Sequence, residues 1–281
     1  MTIETPAKIN LTLELLGRRP DGFHEVATWM VPVGLSDRLE IEFAAADYFS
    51  TETPGLSWDD GNLIFRAVQL FRQETGTQSS YRIELTKRIP IGAGLAGGSS
   101  DAAATLRLLS RLHGRTLTDD ELAALAARLG SDTAFFIRCK PAWCTGRGEV
   151  TTARPLPDGL WSLLAKPGFG IPTAAAYAAY ARLPPAEQRG QIVGTPWGRL
   201  RNDLEPAVFP KYVILPVLKS WLARQPETRL CLMSGSGSTV FAVTDEGESR
   251  ARELQERFLE FFGPTFWSAV CQLNPVMAGT T

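Results

Sequence analysis

The densest run of chemistry-bearing positions is Pro90-Ile91-Gly92-Ala93-Gly94-Leu95-Ala96-Gly97-Gly98-Ser99-Ser100, in which four of eleven residues are glycine. Glycine permits positive φ and lets backbone approach an anion with no Cβ between them. Before this run, Tyr81, Ile83 and Leu85 alternate with Arg82, Glu84 and Thr86, the pattern of a strand. After it, from Asp101, the residues Ala102, Leu106, Leu109 and Leu112 share one helical face, and Gly114 stops the helix. A helix start offers unpaired N–H groups and the positive end of a dipole. Strand, glycine-rich loop reaching Ser100, and helix together predict a phosphate cradle.

Three familiar phosphate loops do not fit. Gly92, Gly94 and Gly97 match G-x-G-x-x-G, but a dinucleotide fold needs a strand after the helix with an acidic residue for the ribose. Here a second helix follows instead, opened by the capping box Thr118-Asp-Asp-Glu121. A Walker A loop needs lysine where Gly98 stands. The HRD and DFG segments of protein kinases are absent from the sequence. A plain surface turn would not need so many glycines and serines between a strand and a strong helix.

Other candidates are polar residues in telling places. Ser131 can cap a third helix, which puts Asp132 in its first turn, where the dipole favours an anion. Spacing alone suits helix capping as well as acid–base chemistry. Lys8 begins an alternating run to Leu15, and Asn10, two residues on, shares its strand face. By itself Lys8 reads as a surface lysine on an edge strand. His24 is one of two histidines; the other, His113, stands at a helix end.

The surrounding chain supplies the elements to position these groups. Its 281 residues, 44% hydrophobic and 21% charged, suit a globular protein of two ordinary domains. The net charge of −1, from 29 basic and 30 acidic side chains, gives no reason to expect nucleic-acid or membrane binding. Cys139, Cys144, Cys231 and Cys271 are too scattered for a disulfide scaffold, and no histidine near the first two completes a zinc set. The N-terminal residues lack the pattern of a secretory signal, so a cytoplasmic protein is expected. Strands dominate the first forty residues, and Pro155, Pro157, Asp158 and Gly159 read as a linker. Beyond it, Leu230–Met233 and Thr239–Val243 read as strands joined by Ser234-Gly-Ser-Gly-Ser238, with a helix over residues 247–262 and a last strand near Phe266–Leu273.

The segment from Pro90 to Ala103 resembles the phosphate-binding motif of the GHMP kinases, the family of galactokinase, homoserine kinase, mevalonate kinase and phosphomevalonate kinase. Pro6-Ala-Lys-Ile-Asn-Leu11, Arg19-Pro-Asp-Gly-Phe-His24 and Gly130-Ser-Asp-Thr-Ala-Phe-Phe136 are similar to further segments of one branch of that family. That branch acts on a cytidine-diphosphate-linked methylerythritol in the non-mevalonate isoprenoid pathway. Asn202-Asp-Leu-Glu205 and Met233-Ser-Gly-Ser-Gly237 extend the likeness, in order, toward the C-terminus. The resemblance implies an α+β fold with an active site in the cleft between two domains. Residues 1–155 would form a domain like the second domain of ribosomal protein S5, and residues 156–281 a ferredoxin-like domain. It also implies transfer of the γ-phosphoryl of ATP, with Mg2+, to the substrate's 2-hydroxyl. The partners implied are small molecules alone, with the chain a monomer or weak homodimer.

Carried over residue by residue, the resemblance makes Asp132 the group that takes the hydroxyl proton and Lys8 the catalytic lysine beside it. It assigns the run from Pro90 to Ser100 to the ATP phosphates, with Ser99 and Ser100 donating to phosphate or ordering Mg2+. Asn62 and Lys87 would lie near the adenine, and Asp101 would simply favour the helix start. Asn10 would meet the substrate, His24 would hydrogen-bond its cytosine, and Tyr177 would stack on that base with Thr173 nearby. Ser234, Gly235, Ser236 and Gly237 would form a second backbone cradle, or else a tight hairpin turn. Three positions depart from the pattern. Phe23 stands where many relatives carry tyrosine and keeps the stacking face without the hydroxyl. Trp29 is bulkier than the pattern expects. Ala96 interrupts the glycines, at a cost of about 1 kcal/mol if positive φ is needed there. The alternatives are a GHMP kinase of the homoserine or mevalonate type, and an inactive nucleotide-binding relative, which retention of both Lys8 and Asp132 disfavours.

Overall fold

The computed structural model describes residues 1–115 and 117–275. Its spine is a long antiparallel hairpin, β1 (Thr2–Arg18) and β2 (His24–Ala44), turned by the Pro20-Asp21-Gly22 breakers. One edge of β2 pairs with β1. The other pairs with β5 (Ala142–Thr145) near its start and β4 (Ser80–Thr86) near its end. β3 (Tyr48–Thr51) and β6 (Val150–Ala153) complete the sheet, in the order β3-β4-β2-β5-β6 with β1 on β2. Register shifts break β1 at Pro6/Ala7, Asn10/Thr12 and Leu15/Gly17. Such bulges re-aim side chains, and these flank Lys8 and Asn10.

Four helices lie with this sheet: α1 (Leu63–Thr75), α2 (Gly97–Leu112), α3 (Asp119–Leu129) and α4 (Thr133–Arg138). Leu39, Ile41, Ile83 and Leu85, alternate residues of β2 and β4, meet Val68 and Phe71 of α1 and Leu106 and Leu109 of α2 in one core. α3 carries the expected capping box between Thr118 and Glu121.

Two expectations need correction here. The helix expected from Asp101 starts at Gly97, so Gly97, Gly98, Ser99 and Ser100 form its first turn rather than loop. Ala96, in the left-handed region at φ 56°, turns the chain into the helix, and its carbonyl accepts from the amides of Ser99 and Ser100. Likewise, the N-cap of α4 is Asp132 itself, not Ser131, and its side chain makes no capping hydrogen bond.

The second half builds a sheet from β7 (Trp161–Lys166), β10 (Leu230–Met233), β11 (Val240–Thr244) and β12 (Trp267–Gln272). All pairs are antiparallel, in the order β10-β11-β7-β12. Between β7 and β10 come α5 (Thr173–Tyr180), the small hairpin β8 (Val193–Thr195) and β9 (Gly198–Leu200), α6 (Glu205–Val208) and α7 (Ile214–Ala223). α8 (Glu248–Phe262) joins β11 to β12. This sheet is buried on both faces. Cys231, Met233, Val240 and Ala242 face a core with α7 and α8, while Leu230, Leu232, Phe241 and Val243 face one with Ala7, Ile9, Val31 and Val33 of the β1–β2 hairpin. Burial on both sides explains why β10 and β11 read as continuous apolar runs. The coil after Pro155 therefore separates two sheets but not two cores, since Leu156 and Leu160 are buried in the shared one.

No helix among the described residues is long and apolar enough to cross a membrane. The four cysteines are free thiols.

Candidate functional site

The glycine-rich loop lies between the halves of the chain and is gripped from several directions. The Gly92 carbonyl accepts from Ile171 N–H at 3.1 Å, and that of Ala93 from Thr239 N–H at 3.1 Å. The Gly94 carbonyl accepts from the Ser234 hydroxyl at 2.9 Å and the Lys8 ammonium at 3.3 Å. The Leu95 carbonyl accepts from Lys8 N–H at 3.1 Å. Four successive carbonyls are thus engaged by residues of β1 and the second half. The amides from Gly92 through Gly98, in contrast, donate to no backbone acceptor among the described residues. Ala93, Leu95 and Gly97 of this row are buried, and orphan amides in a folded interior are rare. A row of them at a helix start is a candidate anion nest.

The nest borders a cleft of about 1020 Å³. Ligand sites typically span about 300–1,000 Å³, so this one suits a large ligand or two smaller ones side by side. Pro90, Ile91, Gly92, Ala93, Gly94, Ala96, Gly97, Gly98 and Ser99 line it, together with Asn62 and Lys87. Leu95 does not, because its side chain is buried in the shared core. Ser100 does not either: the turn of α2 carries it away from the cleft, to a second cavity.

Asn62 and Lys87 reach the cleft with their polar groups already engaged. The Asn62 side chain caps α1, accepting from Ile64 N–H at 2.9 Å and donating to the Ser57 carbonyl at 2.7 Å. The Lys87 ammonium is bound by two buried carboxylates, Asp37 and Asp101, the latter at 3.0 Å. Asp37 also accepts from the amides of Arg88 and Ile89, and Asp101 from the Thr5 hydroxyl at 2.6 Å. Asp101 therefore does more than favour the helix start: it locks the first turns of α2 to β1 and to the end of β4. Burial pushes its carboxyl up to about 6, against the opposing pull of Lys87. Burial also opposes the charge on Lys87, but Asp101 and Asp37 together hold that pKa above its ordinary value. Sequence patterning gave no sign of this cluster, because Thr5, Asp37, Lys87 and Asp101 come from four separate elements.

The β1 bulges bring Lys8 and Asn10 to the cleft, both almost fully buried. The Lys8 ammonium donates to Asn10 Oδ1 at 2.6 Å and to the Gly94 carbonyl at 3.3 Å, and it pairs with Asp132 Oδ2 at 3.4 Å. Asn10 Nδ2 in turn donates to the Thr28 hydroxyl at 2.7 Å, which donates to the Thr12 carbonyl. With no capping bond to make, Asp132 presents its carboxylate, partly exposed, to the cleft. The arrangement can hold an alcohol beside a carboxylate while a lysine links that carboxylate to the anion nest.

Farther along the cleft stand Phe23, His24, Thr173 and Tyr177. The His24 ring centre lies 5.3 Å from that of Tyr177 and 5.7 Å from that of Tyr180, the latter pair in an edge-to-face arrangement. Burial, and secondarily Arg18, lowers the His24 pKa, which favours the neutral imidazole. The Arg147 guanidinium sits over the Phe23 ring at 4.9 Å. Arg147 and Tyr180 were not evident from the sequence, which placed no signal on either. The Ser234–Gly237 segment is the turn of the β10–β11 hairpin, and Gly235 and Ser236 also line the cleft. Ser234 is buried and bonded to the glycine loop, and the Gly237 amide closes the turn on the Ser234 carbonyl, so neither lines it. Asn202 pins this turn, donating to the carbonyls of Met233 at 2.7 Å and Gly235 at 2.8 Å.

Residues 62–140, from the cap of α1 past Asp132, match the family described as GHMP kinases N terminal domain. The chain is 42% identical over 271 residues to the 4-diphosphocytidyl-2-C-methyl-D-erythritol kinase of Methylacidiphilum infernorum, with 93% of each chain covered. The chain belongs to the GHMP kinase family. Another relative, the kinase of the same name from Bacillus pumilus, is 40% identical, with 89% of this chain and 90% of the relative covered. A solved 4-(cytidine 5'-diphospho)-2C-methyl-D-erythritol kinase superposes with a TM-score of 0.78 at 33% identity, covering 97% of this chain and 99% of that one. Homoserine kinase from Cytophaga hutchinsonii shares the GHMP fold, with a TM-score of 0.69 at 17% identity and coverage of 99% and 95%.

Proposed function

We propose that this chain transfers the γ-phosphoryl group of ATP to the 2-hydroxyl of 4-diphosphocytidyl-2-C-methyl-D-erythritol, in the non-mevalonate route to isoprenoids. The observation that carries this reading is the row of unpaired amides from Gly92 to Gly98, bordering the same cleft as Lys8 and Asp132. Phosphoryl transfer asks a protein mainly to position the reactants and neutralise charge. The nest cradles the ATP phosphates. Asp132 accepts the proton of the acceptor hydroxyl, and Lys8 and Asn10 orient that hydroxyl toward the nest. At the far end, Tyr177 and Phe23 offer ring faces to the cytosine, and neutral His24 offers it one donor and one acceptor.

Mg2+ fits here as a companion of the nucleotide rather than as a tenant of a protein cage. Among the described residues no group of three or more His, Cys, Asp or Glu side chains gathers to hold a metal, and the Asp101 carboxylate is engaged by Lys87 and Thr5. Ser99 is the hydroxyl of the first turn of α2 that lines the cleft beside the nest and could meet the ion. When bound with ATP, the ion neutralises charge on the phosphate oxygens.

The four-stranded sheet of the second half follows a β-α-β-β-α-β order, with the β8–β9 hairpin inserted before β10, which supports a ferredoxin-like domain. The first half is assigned as a domain like the second domain of ribosomal protein S5, with the division at 155/156. Free thiols accord with a cytoplasmic setting, and the chain is taken to work on small molecules as a monomer or weak homodimer. The direct test is a coupled assay with ATP and Mg2+. Turnover is expected on the cytidylylated methylerythritol, while faster turnover on homoserine or mevalonate would overturn the substrate assignment.

A further inference from the structure

Behind the phosphate nest, on the opposite side of α2, lies a second cavity of about 940 Å³. Three observations mark it as more than a packing gap. The first is Ser100: it lines this cavity, and its hydroxyl, with no hydrogen-bond partner among the described residues, stays reachable from solvent. A reachable hydroxyl with no protein partner is free to bond a ligand's polar atom.

The second is the division of the walls into an apolar interior and a charged rim. Pro6, Ala104, Phe136 and Leu156 supply apolar surface. On the rim, Arg107 pairs with Asp119, and Glu4 with Arg88. Arg138 is taken by Asp120. Arg111 and Lys140 have no carboxylate partner among the described residues, against one such carboxylate on the rim, Asp158.

The third is a physical route to the ATP cleft. Thr5 lines this cavity and donates to Asp101, which lines the cleft and holds Lys87. An ideal Cβ at Gly97 would lie 3.0 Å from Lys87 Nζ, so the ammonium rests directly beneath the first turn of the nest.

We infer that this cavity is a regulatory site for an anionic amphiphile, a small molecule with an apolar body and a carboxylate, sulfonate or phosphate head. The apolar body fills the interior, and the head lies between Arg111 and Lys140. A polar atom of the ligand engages the Ser100 and Thr5 hydroxyls. Drawing Thr5 from Asp101 loosens the support under Gly97, so occupancy weakens ATP binding. The coupling rests on the reading of the cleft as an ATP site, whereas binding to the cavity does not.

Anilinonaphthalene sulfonate, a fluorescent anionic amphiphile, is the probe. It is titrated into the intact protein with the cleft filled by a non-hydrolysable ATP analogue. Saturable binding is expected, weakened roughly tenfold by the paired surface changes Arg111→Glu and Lys140→Glu. In the wild type the probe is expected to raise KM for ATP by about fivefold. Thr5→Val is expected to bind the probe but to lose this response. Thermal melts of each variant separate unfolding from loss of the site. Probe binding unchanged by the double charge reversal would overturn the site, and an unmoved KM for ATP in the wild type would overturn its regulatory role.

Discussion

Asp132 occupies a helix N-cap and caps nothing; its carboxylate pairs instead with Lys8 at 3.4 Å. A side chain that forgoes a local bond worth about 1 kcal/mol is held for another purpose. Asp132→Asn is therefore expected to lower kcat by roughly two orders of magnitude or more, as loss of a general base does. Nucleotide binding, measured by calorimetry, should persist, and unchanged turnover would remove Asp132 from the chemistry. His24 makes a second prediction at this scale. Its pKa is depressed, so it is neutral at and above the ordinary imidazole range and takes a proton only at lower pH. KM for the cytidylylated substrate should be flat on the alkaline side and rise in acid. A His24→Asn variant should lose that acid rise; an identical profile would exclude His24 from base recognition.

The glycine loop shows how one element can need the same residue type for different reasons. Gly94 has φ 76°, and an ideal Cβ there would lie 2.1 Å from the Ser234 carbonyl oxygen. Gly98 sits in the first turn of α2 with no atom closer than 3.9 Å to such a Cβ, so its free side is cleft. Gly94→Ala is expected to destabilise the protein itself, by several kcal/mol, through clash and backbone strain. Gly98→Ala should leave the melting temperature unchanged or higher, since alanine is the better helix former, while raising KM for ATP about tenfold. A normal KM in that variant would place the phosphates elsewhere. Ala96 belongs to the same loop: the left-handed conformation left conditional by the sequence is adopted, at about 1–2 kcal/mol.

Across the whole molecule, stability rests on cores and ion clusters that ignore the division between the halves. The β1–β2 hairpin shares one core with the second sheet, and Asp203 accepts from Leu15 N–H of β1 at 3.0 Å. Calorimetry should accordingly show a single unfolding transition with calorimetric and van't Hoff enthalpies in agreement. Two resolved transitions would mean the halves fold independently. The Lys87 cluster adds a pH dependence. Asp101 has a folded pKa raised to about 6 from an ordinary value of 3.8. A raised carboxyl binds its proton more tightly in the folded state, so its contribution is full below the ordinary value and fades as pH rises through about 6. Between these limits the stability difference between wild type and Asp101→Asn should shift against the wild type by a few kcal/mol. Denaturant titrations at several pH values would measure it, and parallel curves would refute it.

How far the sequence reached follows from the range of the forces involved. The phosphate loop, the α3 capping box, the alternation of β1 and β4 and the apolar runs of β10 and β11 are local patterns, because glycine freedom, capping and strand patterning act over a few residues. Resemblance added Lys8, Asp132, His24 and Tyr177, whose types alone suited ordinary surface or core positions. What only the tertiary structure decided was direction. The turn of α2 sends Ser99 to the cleft and Ser100 to the cavity behind it, the Asn62 amide is committed to its own helix, and Lys87 is held between carboxylates fourteen and fifty residues away. Each of these depends on a hydrogen bond or a packed wall supplied by a distant element, and one-dimensional spacing carries no record of such partners.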